Sequence, residues 1–68
     1  MIGSQIAQLR QERGMRQAAL AELLQISASA VGMYEQGRQS PSLSMVVRLS
    51  QVFGVTADYL LTGKPPRI

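Results

Sequence analysis

The stretch that decides the fold is Gln17–Gln36, QAALAELLQISASAVGMYEQ. It reads as two short helices, Gln17 to Leu24 and Ala28 to Gln36, joined by Gln25, Ile26 and Ser27. The fourth, eighth, tenth, fifteenth and eighteenth residues of the window are Leu20, Leu24, Ile26, Val31 and Tyr34, all apolar. That spacing gives each helix one apolar face, and the two faces can bury each other. The fifth residue, Ala21, is small enough to let the helices cross closely. Ser27 stands where a hydroxyl can accept from an orphan N–H of the following turn, and Gly37 stops the second helix. An apolar stripe alone is usually just core, but here every constraint falls in one short window. The crossing leaves the outer face of Ala28 to Met33 free, a shape that fits a DNA major groove.

Working outward, Ile2, Ile6 and Leu9 form a helical stripe that ends at Gly14. The spacing predicts a first helix over about Gln5 to Arg13, with Ser4 or Gly3 near its cap. On the other side, Arg38-Gln39-Ser40-Pro41 reads as a loop. Ser42 then caps a helix from Leu43 to Phe53, with Met45, Val46, Leu49 and Phe53 inward and Gly54 as its stop. Thr56 caps a last helix from Ala57 to Leu61, with Asp58 suiting its first turn, and Gly63 ends it. Lys64-Pro65-Pro66-Arg67 reads as solvated tail. The expected fold is all-α: a compact five-helix domain over residues 1–63, with a short tail at 64–68.

Composition narrows the function. The 68 residues allow one domain at most, and a chain of this size buries only about 60% of the surface it exposes when unfolded. There is no cysteine and no histidine, and the four acids, Glu12, Glu22, Glu35 and Asp58, are scattered. Neither a metal site nor a catalytic dyad is expected from that stock, nor any cofactor, which argues against an enzyme. The net charge of +3 favours an anionic partner. No apolar run approaches the roughly 20 residues of a membrane span, and no secretory leader pattern opens the chain, so a cytoplasmic location is the expectation.

Three stretches together resemble the Cro/repressor-type (XRE-like) helix-turn-helix domains of phage repressors and bacterial regulators. They are IAQLRQERGMRQAALAELL, ISASAVGMYEQGRQSPSL and VVRLSQVFGVTADYLLTG, covering roughly Ile2 to Gly63. The resemblance implies a lambda-repressor-like domain that binds double-stranded operator DNA, usually as a homodimer on a pseudo-palindromic site. It implies that Gln17 touches a phosphate and braces the recognition helix, and that Arg10 and Glu35 form an ion pair linking the first helix to the end of the third. Two positions depart from the family pattern. Arg16 stands where a Ser or Thr cap is common, and Gln25 where Gly is usual because the backbone favours positive φ. A non-glycine residue there costs roughly 1 kcal/mol.

By position, base-edge readers are expected at Ser27, Ala28, Ser29 and Met33, with Gly32 near the backbone. None of these is an Arg, Gln or Asn, the residues that make bidentate base contacts. Ser29 offers one hydrogen bond, whereas Ala28 and Met33 offer apolar contact, for instance to a thymine methyl. Three readings follow: selection by DNA shape, base contacts from Arg16 and Gln17, or a helix turned over to protein contacts. Phosphate contacts are expected from Arg16, Gln17, Arg38, Gln39 and Ser40, with backbone N–H groups of Gly37 to Gln39 added. Arg13, Arg48 and Lys64 read as plain surface charge.

The dimer surface is expected on the last helix and its flanks, at Val55, Tyr59 and Leu61, with Leu60, Pro65 and Ile68 as further members. At least one of Leu60 and Leu61 is expected to close the core. The leading expectation is a repressor-type regulator of transcription. The alternative is an antitoxin-like or other protein-interaction module on the same fold.

Overall fold

A computed structural model describes residues 2–64. It contains α1 (Ile2–Glu12), α2 (Gln17–Leu24), α3 (Ala28–Gln36), α4 (Leu43–Phe53) and α5 (Ala57–Thr62). The described residues include no strand.

The helix starts follow the capping chemistry. Ser27 Oγ accepts from the Ala30 N–H at 3.1 Å, Ser42 Oγ from Met45 at 3.2 Å and Thr56 Oγ1 from Tyr59 at 3.0 Å. Arg16 precedes α2 without a side-chain cap, so that helix lacks a contribution typically near 1 kcal/mol. The ends of α1 to α4 share one device. The N–H groups of Met15, Ile26, Arg38 and Val55 each return to the carbonyl five residues back, at 2.9–3.1 Å. This closure needs a left-handed residue just before the returning N–H. Gly14, Gly37 and Gly54 supply it in three cases, and Gln25, with φ 59°, supplies it in the fourth.

α1 starts earlier than its apolar spacing predicts, at Ile2 rather than Gln5. Gly3 therefore lies in the first turn of the helix, buried where α1 crosses α3. A Cβ built on Gly3 would overlap the Tyr34 carbonyl oxygen and lie 3.0 Å from that of Glu35. The missing side chain sets how closely α1 lies on α3. At the other end of the chain, α5 continues through Thr62, whose hydroxyl donates to the Asp58 carbonyl at 2.7 Å.

One apolar core joins all five helices. Ile6 and Leu9 enter it from α1, Leu20, Ala21 and Leu24 from α2, and Val31 and Tyr34 from α3. Met45, Val46, Leu49 and Phe53 come from α4 and Leu60 from α5. α3 packs against both α1 and α2. Its inner face is thereby held, and the opposite face is left on the surface.

Candidate nucleic-acid interface

The exposed side of α3 borders a shallow depression of about 400 Å³ lined by Gln17, Ala28, Ser29, Gly32, Met33, Gln36 and Arg38. The structure thus gathers three of the four expected base readers, Ala28, Ser29 and Met33, with two of the expected phosphate ligands, Gln17 and Arg38. Ser27 is exposed but outside this set, and its hydroxyl is engaged in capping α3. Gln39 and Ser40 line a neighbouring depression with Ile2, Gly3 and Ser4 of α1 and the end of α3.

Gln36 is a member that the sequence reading missed. It lies four residues after Gly32 and three after Met33, so α-helical spacing carries it onto the same face. The outer face expected from the sequence, Ala28 to Met33, ends about one turn short of it. Gln36 restores to the face a side chain that can pair bidentately with a base.

A carboxylate fixes the orientation of this face. Arg10 Nε donates to Glu35 Oε2 at 2.6 Å and Arg10 Nη2 to Glu35 Oε1 at 3.1 Å. A two-bond fork of this kind constrains angle as well as distance. Gln17 Nε2 donates to the same Oε1 at 3.1 Å, and Arg10 Nη1 donates to the Met15 carbonyl at 2.8 Å. The side chains of Arg10 and Glu35 are only 13% and 9% exposed. Their hydrogen bonds hold the Arg10 guanidinium above its ordinary pKa, against a smaller opposing effect of burial. One carboxylate on α3 therefore ties down a residue of α1 and one of α2. Gln17 also passes over Gly32, where an added Cβ would sit 3.8 Å from its amide atoms.

The arginines divide into two groups. Arg10 is inside the clamp. Arg13, expected as plain surface charge, instead donates from Nη2 to the Phe53 carbonyl at 2.6 Å and lies 5.2 Å from the Phe53 ring centre. It serves the carbonyl end of α4, where a cation is favoured by the helix dipole. The side chains of Arg16 and Arg38, by contrast, are exposed and have no partner among the described residues; Arg16 stands at the start of α2 and Arg38 just past the end of α3. The backbone N–H groups of Gly37 to Gln39, expected to face phosphate, instead turn inward. Those of Arg38 and Gln39 reach the Met33 carbonyl at 2.9 and 3.4 Å, and that of Gly37 reaches Tyr34 at 3.2 Å. Closing the end of α3 uses them up.

On the far side, Val55 and Tyr59 are half-buried and line a depression of about 580 Å³ with Leu9, Glu12, Arg13, Gly54 and Thr56. Leu60 is fully buried in the core, and Leu61 is 53% exposed. Pro65 and Ile68 lie outside the described residues. No group of side chains suited to a metal ion occurs among the described residues, and no helix is long and apolar enough to cross a membrane.

The family model described as Helix-turn-helix matches residues 6–60. The chain belongs to the helix-turn-helix family. Among its relatives, the HTH-type transcriptional regulator RamB of Mycobacterium tuberculosis is 37% identical over 98% of this chain. The prophage-derived HTH-type transcriptional regulator YonR of Bacillus subtilis is 35% identical over 93%. This helix-turn-helix domain spans 14% of RamB and 58% of YonR. Among solved structures, the P22 c2 repressor in complex with a synthetic operator superposes with a TM-score of 0.88. It is 30% identical, with 94% of this chain and 97% of that one covered. The lambda-repressor-like architecture of the helix-turn-helix domain is thus shared with a phage repressor.

Proposed function

We propose that this domain binds duplex DNA with α3 in the major groove and regulates transcription by occupying an operator, acting in the cytoplasm as a binding protein and not as a catalyst. The observation that carries this is the exposed face of α3, edged by the Arg38 side chain, which has no partner among the described residues, and locked in orientation by Glu35. The P22 c2 repressor, which shares the fold, was solved on an operator.

Ser27, Ala28, Ser29 and Met33 are assigned to base edges, with Gln36 added to them. Ser27 reads with what remains of its hydroxyl's capacity beside its capping bond. Arg16, Gln17, Arg38, Gln39 and Ser40 are assigned to phosphates, where they set register and affinity without carrying sequence information. A recognition helix of nine residues covers only a few base pairs. Two copies related by a two-fold axis would place their helices about 34 Å apart in successive major grooves. Val55, Tyr59 and Leu61 are assigned to that contact.

Selection from a pool of random-sequence duplexes at moderate salt tests the reading. Enrichment of a pseudo-palindromic site is expected. If nothing is enriched, operator reading is wrong, and the small side chains of α3 serve a protein partner, as an antitoxin-like module would. Sedimentation of the chain with and without the enriched duplex tests the dimer; one chain per duplex would overturn it.

A further inference from the structure

Ala28, Ser29 and Gly32 are the smallest side chains lining the α3 depression, and they lie within one and a half turns of each other. They leave a recess on this face, with Ala28 and Ser29 exposed and Gly32 buried at its floor beside the Gln17 amide. The long apolar side chain beside them is Met33, whose polarisable thioether is 37% exposed. In the major groove a base pair presents one apolar feature, the 5-methyl group of a pyrimidine.

Among these small residues the polar side-chain atom is Ser29 Oγ, and it does not discriminate. Ser29 Oγ has no partner among the described residues, and a hydroxyl both donates and accepts. It can donate to O4 of thymine or accept from the N4 amino group of cytosine. The 4-position goes unread by this side chain, and the neighbouring methyl is what Ala28, Ser29 and Met33 distinguish.

We infer that the depression formed by Ala28, Ser29, Gly32 and Met33 is a receptor for a pyrimidine 5-methyl group, and that it takes this methyl from 5-methylcytosine as well as from thymine. The inference rests on the DNA-binding reading above and goes beyond it. A domain built this way responds to cytosine methylation of its site as it responds to thymine.

The probe is the duplex enriched from the random pool, resynthesised with each thymine in turn replaced by deoxyuridine. Loss of one buried methyl is worth about fourfold in affinity, from roughly 0.8 kcal/mol per buried carbon at 1.4 kcal/mol per tenfold. At least one thymine per half-site is expected to show it. In a second arm, the T·A pair at that position is changed to C·G, with and without a 5-methyl group on the cytosine; the methyl is expected to raise affinity by the same factor. Gly32→Ala separates reading from folding. Its Cβ meets only ordinary contacts with Gln17, and alanine favours the helix, so the melting temperature should hold or rise while the methyl effect shrinks. Met33→Ala should shrink it as well. An enriched duplex indifferent to deoxyuridine at every position overturns the inference and leaves operator reading intact. A response to thymine methyl but not to 5-methylcytosine overturns its second half. If no duplex is enriched, both readings fall together.

Discussion

Gln17 of α2 and Glu35 of α3 meet across the helix crossing, Nε2 to Oε1 at 3.1 Å, on the oxygen that also accepts from Arg10 of α1. A side chain assigned to a DNA phosphate in the proposed function is thereby held by the carboxylate that holds α3. Orientation of α3 and placement of Gln17 are one property of the site.

Removing the shared acceptor separates its two roles. Glu35→Ala leaves the Arg10 guanidinium half-buried without its anion, and should cost about 2 kcal/mol, the usual worth of hydrogen bonds to a charged group. The shift in denaturation midpoint at unchanged slope measures it. Gln17→Ala should cost little stability and still weaken DNA binding severalfold, read by a fluorescence-anisotropy titration. Equal stability losses in the two variants would show that Gln17 is only a strut.

The close approach of α1 to α3 depends on Gly3, where even one Cβ would collide with the Tyr34 carbonyl. Backbone cannot yield as a flexible side chain can, so Gly3→Ala should destabilise by about 1–3 kcal/mol, in the range of overpacked cores. The gain in helix propensity from glycine to alanine, at most about 1 kcal/mol, works the other way and does not offset it. A thermal melt showing Gly3→Ala at or above the parent temperature would contradict the packing described for this crossing.

Gln25 closes α2 at φ 59°, in a role that glycine fills at the ends of α1, α3 and α4. Gln25→Gly should therefore stabilise the domain by about 1 kcal/mol. In a domain of this size that raises the melting temperature by about 4–8 °C. Because glycine also frees the unfolded chain, the gain falls below the full strain energy. A lower melting temperature would mean that the glutamine side chain contributes something its geometry does not reveal.

These variants mark where the amino-acid order is informative and where it is silent. The helix ends are local events, so Ser27, Ser42 and Thr56 announce themselves as caps and Gly37 and Gly54 as stops. Gln25 betrays its left-handed conformation through the resemblance, which has glycine as the usual residue there. Gly3 does not betray its role, since the lack of room for a Cβ is set by the Tyr34 and Glu35 carbonyls more than thirty residues away. Arg13 is silent for the same reason, its acceptor Phe53 being forty positions on. Gln36 was within reach, because continuing the i+4 spacing from Gly32 places it on the exposed face.

Arg13 and Arg38 provide the sharpest contrast, being identical in chemistry and opposite in use. The Arg38 side chain has no partner among the described residues. If it neutralises a phosphate, Arg38→Ala should weaken binding about equally on every sequence and reduce the slope of log affinity against log salt by about one. Stability should be nearly unchanged, as for most exposed positions. Arg13→Ala gives up the hydrogen bond to the Phe53 carbonyl and the contact with its ring. It should cost about 1 kcal/mol of stability and leave the salt slope where it was. Salt titrations of both variants on the enriched duplex and on an unrelated one, paired with thermal melts, distinguish the roles. A reduced salt slope for Arg13→Ala would mean that its guanidinium leaves Phe53 for the DNA. A sequence-dependent loss for Arg38→Ala would move that residue from the phosphates to the base edges.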